Sequence, residues 1–210
     1  MRCHTALVLG LATLLTGPAT AQSTPRYLIY LHGRIVEDQG RQPTSPVFGL
    51  YDYDGILDSL RGAGFTVLSE QRPPRTDSEA YAAHVAGQVD SLLRAGAPPH
   101  SITVLGFSKG GWIAILTSAR LQNPDLSFIF LGACGPWAFA PDLHVAGRML
   151  SLYETSDSLG SSCAPMFAHQ SPGSRSREVA LSHGLGHGTF FRPRPAWLAP
   201  AVAWARGDDP

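Results

Sequence analysis

Residues 101–112 read S-I-T-V-L-G-F-S-K-G-G-W. Ile102–Phe107 is an unbroken apolar, β-rich run, and Gly110–Gln122 behind it has a helical pattern. Between them stand Gly106, Ser108 and Gly110, small residues that permit a tight turn. A strand passing through such a turn into a helix is the unit of an alternating α/β chain.

The alternation extends in both directions. Strands are predicted at Tyr27–Leu31, Phe65–Ser69, Ile102–Phe107, Phe128–Leu131, Arg148–Tyr153 and Glu178–Ser182. Most of these runs are continuously apolar, the mark of parallel strands covered on both faces. Helices are predicted at Asp52–Arg61, Ser78–Ala95, Gly110–Gln122 and Ala196–Arg206. The expected fold is therefore α/β, with a mostly parallel, doubly wound sheet and helices on both faces. The Gly-, Pro- and Arg-rich stretches 38–49 and 171–177 read as exposed loops, and no repeat or linker divides the chain.

The 210 residues are 44% hydrophobic and 15% charged, too apolar for a disordered chain. Sixteen basic and sixteen acidic residues cancel, which argues against nucleic acid as a partner. Lys109 is the only lysine among the sixteen basic residues. Residues 1–21 read MRCHTALVLGLATLLTGPATA. Arg2, a short apolar stretch from Ala6 to Leu15 and the small-x-small Ala19-Thr20-Ala21 have the form of a cleavable export signal. The mature domain is then 22–210, and the expected location is periplasmic or extracellular. No apolar stretch past residue 21 is long enough to span a membrane, and no cysteine follows the cleavage site to carry a lipid anchor. Cys134 and Cys163 remain, as a disulfide pair or as two buried thiols.

With the helix opening right after it, Gly106-Phe107-Ser108-Lys109-Gly110 resembles the nucleophile elbow of the α/β-hydrolase family. The bland reading is a helix-capping serine in an ordinary turn. The first strand ends in His32-Gly33, similar to the HG turn after an early family strand. The resemblance covers nearly all of residues 26–207 and implies a serine hydrolase whose leading edge strands are absent. It implies Ser108 as nucleophile, with backbone N–H groups of Arg34, or its neighbour, and Lys109 as the oxyanion hole. The family order then places an acid and a histidine downstream. Asp157 stands three residues past Glu154, which occupies the position of a usual turn glycine, so Glu154 is the backup acid. His187, flanked by Gly186 and Gly188 after the last strand, is the implied base, with His183 the weaker candidate. His32 is expected to be structural. Lys109 is expected either to pair with Glu37 or Glu70, bracing the turn, or to be a solvated amine.

Only Gly132–Gly147 stands where the family often inserts a lid, so an open cleft is expected. Trp137, Phe139, Phe190 and Phe191 are candidates to line it, as are Tyr51 and Tyr53. No metal or cofactor is implied, since His183 and His187 lie in a Gly-rich loop instead of on a helix. The substrate class is a small-molecule carboxylic ester, with thioester or amide cleavage as rivals under the same mechanism. A non-catalytic binding protein that kept the fold is the alternative of a different class. Stable membrane anchoring is not expected.

Overall fold

Each predicted strand forms, and the four central ones are buried on both sides beneath the helices. The structure, a computed structural model, describes residues 24–209. The leader-like segment 1–21 lies outside the described residues. The elements run β1 (Tyr27–Leu31), α1 (Arg34–Gln39), a two-residue hairpin of β2 (Thr44–Ser45) and β3 (Gly49–Leu50), α2 (Tyr53–Gly62) and β4 (Thr66–Leu68). They continue with α3 (Ser78–Arg94), β5 (Ile102–Phe107), α4 (Lys109–Leu121), β6 (Ser127–Leu131) and β7 (Arg148–Glu154). The chain closes with α5 (Ala164–Phe167), β8 (Arg175–Leu181) and α6 (Pro195–Arg206).

The main sheet has the order β4-β1-β5-β6-β7-β8, and every pairing in it is parallel. Alternate residues of each strand serve opposite faces. Leu28, Tyr30, Ile129, Leu131, Leu150 and Leu152 pack with α2 and α6. Ile29, Leu31, Val104, Phe128, Phe130 and Met149 pack with α3 and α4. These strands are apolar throughout because neither face meets water.

Strand β8 begins at Arg175, earlier than the expected Glu178, because an edge strand carries polar residues on its open face. Asp52 caps α2 and Asp77 caps α3, each accepting from the backbone N–H three residues on. Helix α6 opens on a proline, whose missing N–H costs nothing at that position. Helix α1 is absent from the sequence expectations, being too short to show a period. Cys134 and Cys163 form a disulfide that ties the segment after β6 to the segment before α5. No helix of the described residues is long and apolar enough to cross a membrane.

From β1 the chain moves outward to β4, then returns across β1 to β5 and continues the other way. The C-terminal ends of β1 and β5 therefore flank the point where winding reverses, the place where such sheets leave a crevice.

Candidate active site

Ser108 follows β5 into that crevice, between the strand and α4, with its backbone at positive φ. Its φ of 54° and ψ of −120° put a side-chain-bearing residue where L-residues rarely go. Such a conformation costs about 1–3 kcal/mol and persists only where the surroundings enforce it. Here they do. A Cβ on Gly106 would come within 2.2 Å of the Gly110 carbonyl oxygen, and one on Gly110 within 2.0 Å of the Leu31 oxygen. The two glycines allow strand, turn and helix to close on one another and on the end of β1. The Ser108 N–H donates to Leu131 O at 2.9 Å, which ties the turn to β6.

Two helix starts converge on this turn. Lys109 is the first residue of α4 and Arg34 the first of α1, so neither N–H has an acceptor within its helix. Both residues line a cavity with Ser108. Lys109 Nζ donates to Glu37 Oε2 at 2.6 Å and to Thr76 O at 2.6 Å. Arg72 Nε donates to Glu37 Oε1 at 2.7 Å. Of the two expected partners of Lys109, Glu37 is the one in contact. Glu70 faces away and accepts from Gln88 and Tyr81. Sequence reasoning missed Arg72, which is buried and has no motif to announce it.

His32 is fully buried and its imidazole is structural. Its Nε2 accepts from the Arg72 N–H at 2.9 Å, which leaves the proton on Nδ1 for Gly33 O at 2.9 Å. Burial first, and the Arg72 charge second, push its pKa down to about 3, so the ring is neutral.

Asp157 and His187 are brought together from loops thirty residues apart. His187 lies in a 3-10 turn, Gly186–Phe190, and its Nδ1 sits 2.6 Å from Asp157 Oδ2. The Asp157 carboxyl is out of water, and its other oxygen accepts the Leu159 N–H at 2.8 Å. Ser108 and His187 line one cavity with Phe107, whose ring centroid is 4.7 Å from that of His187. Ser108 Oγ and His187 make no hydrogen bond to one another; in unliganded sites this contact is often long and tightens on substrate.

Glu154, the backup acid, has a different task. Its carboxylate accepts the N–H groups of His183 at 3.0 Å and Gly184 at 3.3 Å, and the Thr189 hydroxyl at 3.3 Å. Burial raises its pKa, but the His183 and Gly184 N–H groups outweigh this and hold it below the usual value. It anchors the loop that carries His187. His183 is exposed and only its backbone takes part.

Trp137 lines the cleft with Trp112 and Leu159 and is 53% exposed. Phe190 does not line it. It is fully buried in the core, between Phe107 and Trp197, and Phe191 beside it faces the cavity instead. Tyr51 and Tyr53 are likewise core residues: packing against Phe107 and Phe191 removes the Tyr51 ring from any cleft, and Tyr53 OH meets Ser69 Oγ at 2.8 Å. Phe139 packs partly buried against the α3–α4 face. No group of three or more potential metal ligands gathers among the described residues.

No protein-family model matches the chain, and no curated protein does. Solved structures do match. SOBER1 of Arabidopsis thaliana is 12% identical with a TM-score of 0.59, over 87% of this chain and 98% of that one. The esterase PE8 is 16% identical with a TM-score of 0.60, over 90% of this chain and 95% of that one. Together with the parallel six-stranded sheet and its helices on both faces, these likenesses show that the chain has the α/β-hydrolase fold.

Proposed function

We propose that this chain is an exported serine hydrolase that cleaves a carboxylic ester through Ser108, His187 and Asp157. The observation that carries the reading is the buried Asp157–His187 hydrogen bond opening onto the same cavity as a serine held at φ 54°. A strained serine beside a carboxylate-oriented imidazole has no structural task that a simpler turn would not fill.

In this reading His187 Nδ1–H donates to Asp157, which fixes the tautomer and leaves Nε2 as the base. Ser108 Oγ attacks the ester carbonyl carbon and its proton passes to Nε2. The carbonyl oxygen becomes an oxyanion and accepts from the N–H groups of Arg34 and Lys109. The tetrahedral adduct collapses, the bond to the alcohol oxygen breaks, and Nε2 returns the proton to that oxygen. Water then attacks the acyl-serine, gives a proton to Nε2, and the acid leaves as Ser108 recovers its hydrogen. No step needs a metal or cofactor. Each oxyanion donor is worth about 100- to 1,000-fold in rate.

Export rests on the leader-like N-terminus and is supported by the Cys134–Cys163 disulfide, a bond that persists in oxidising compartments. N-terminal sequencing of the mature protein tests it: the expected first residue is Gln22, and an intact Met1 refutes cleavage. A fluorophosphonate probe tests the chemistry. Labelling of the wild type that is lost in Ser108→Ala is the expected result; a folded wild type that takes no label refutes the hydrolase.

A further inference from the structure

Ser108 stands between two cavities, one on each side. The first, of about 290 Å³, is walled by Ile35, Phe48, Phe107, Phe191 and His187. The second, of about 400 Å³, is walled by Lys109, Trp112, Ala133 and Trp137. Arg34, Ser108 and Leu159 belong to both. The two sides differ in one chemically decisive way: only the first contains the imidazole.

That difference orients a substrate. The carbon attacked by Ser108 carries three other groups: the oxyanion, the departing alcohol oxygen and the acyl chain. The oxyanion is claimed by the Arg34 and Lys109 N–H groups. The alcohol oxygen must take its proton from His187, and Nδ1 of that ring is committed to Asp157. The leaving oxygen therefore has to reach Nε2, which puts the alcohol half in the imidazole-containing cavity. The acyl chain is left with the tryptophan cavity.

The linings fix the chemistry of each half. Lys109 is the one cationic side chain specific to the second cavity, and its charge is already answered by Glu37 and Thr76 O. Arg34 pairs with Asp38 along its own helix. Lys109 therefore has no free charge to offer inside the tryptophan cavity, whereas Arg34, 72% exposed and engaged only through Nε, stands at the rim of both cavities. Trp112 is partly buried, while Trp137 and Leu159 are 53% and 55% exposed, forming an apolar lip around the opening. Exposed apolar groups concentrated at a cleft mark a binding surface. Two indoles in one wall suit an aromatic ring, which gains offset or edge contacts beyond its buried area. Water takes about 30 Å³, so about 400 Å³ accepts a group of about thirteen heavy atoms. The Cys134–Cys163 disulfide lies just before Trp137 and keeps this wall in place.

We infer that the substrates are esters of an aromatic carboxylic acid with a smaller apolar alcohol, the acid in the Trp112–Trp137 cavity and the alcohol in the Phe48–Phe191 cavity. This rests on the serine-hydrolase reading above.

The test uses two ester series on the full mature chain. One varies the acid (acetyl, butyryl, phenylacetyl) on a fixed alcohol; the other varies the alcohol on a fixed acid. The readout is the ratio of kcat/KM within each variant, which cancels any general loss of activity. The wild type is expected to prefer phenylacetyl over acetyl. Trp112→Ala and, as the surface variant least able to disturb folding, Trp137→Ala are expected to reduce that preference about tenfold and leave the alcohol preference unchanged. Phe48→Ala is expected to do the reverse. Fluorophosphonate labelling runs beside every variant. Labelled variants whose effects are exchanged, equal on both series or absent overturn the inference while leaving the serine hydrolase intact. A labelled wild type that prefers acetyl also overturns it. A wild type without label removes the hydrolase and this inference together.

Discussion

Replacing Glu37 with glutamine removes the carboxylate set between Arg72 and Lys109, and the structure gives the size of the consequence. The Glu37 and Arg72 side chains are both 0% exposed, and that of Lys109 is 20% exposed. Each cation lies within hydrogen-bond distance of a different carboxylate oxygen, at 2.7 Å for Arg72 and 2.6 Å for Lys109. In an environment of effective dielectric about 20, unit charges about 4 Å apart attract by about 4 kcal/mol. Glutamine keeps one acceptor oxygen, but leaves a buried guanidinium without a counter-charge and facing an ammonium. Breaking a buried ion pair from one side costs about 3–5 kcal/mol, and the retained oxygen sets the expectation at the lower end. At about 2–4 °C per kcal/mol for a chain of this size, the melting midpoint falls by about 6–12 °C. Lys109→Met leaves Glu37 bonded to Arg72, so a fall of only about 2–4 °C is expected, with turnover reduced about tenfold as the first turn of α4 loses its tie to α1. Scanning calorimetry on the two single variants and the double variant measures the coupling, expected between about 0.5 and 3 kcal/mol. A Glu37→Gln midpoint within 2 °C of wild type, or strict additivity in the double variant, refutes the bracing role. So does a Lys109→Met protein with unchanged midpoint and unchanged turnover.

Three further outcomes are expected. Ser108→Gly abolishes ester turnover and raises the melting midpoint by about 2–4 °C, because glycine accepts φ 54° without the steric cost that serine bears; an unchanged or lower midpoint contradicts the strain. Opening the Cys134–Cys163 bridge by changing both residues to alanine destabilises by about 3 kcal/mol, as the bridge closes a loop with a sequence separation of 29; urea titration measures it, and a loss under 1 kcal/mol contradicts it. Stability declines on acidification from about pH 6.5 towards pH 3. The unfolded chain protonates His32 near its ordinary pKa of 6.5, whereas the folded chain resists down to about 3, so each pH unit in that window removes up to about 1.4 kcal/mol. The depressed Glu154 pKa acts in the same direction below about pH 4.5, where the unfolded chain takes up the proton first. His32→Asn, compared with wild type by calorimetry from pH 7 to 4, is expected to flatten the upper part of the slope; an equal slope refutes the assignment to His32.

The sheet was legible because its driving force is written locally. Four central runs, each buried on both faces, announce parallel strands without any knowledge of their order. Ends were legible where a residue type is mechanically required: Gly106 and Gly110, where no Cβ fits, mark the passage from β5 to α4. The polar start of β8 was not, because an edge strand lacks one of the two covering layers that produce the pattern. Phe190 and Phe191 illustrate the limit for cleft residues. Adjacent and identical in type, they part company only through the turn of a 3-10 helix, which sends one to the core and the other to the cavity. No periodicity in sequence distinguishes them.

The candidate triad could be read through the resemblance to the α/β-hydrolase family, whose chain order puts an acid and a histidine after the nucleophile, each here following a different strand. The network beneath it could not. Arg72, Glu37 and His32 belong to three separate segments, and what unites them is burial, a property that no one of the segments displays alone. Their arrangement also bears on why a chain with a single lysine keeps it at Lys109. A cation in the first turn of α4 opposes the helix dipole by up to about 1 kcal/mol, so it is a poor choice for that helix considered by itself. Held by Glu37, the same cation joins the start of α4 to α1, the two helices that begin beside Ser108. The local penalty is then offset by a contact across the crevice, and the residue least suited to its own helix is the one that fixes how two helices meet.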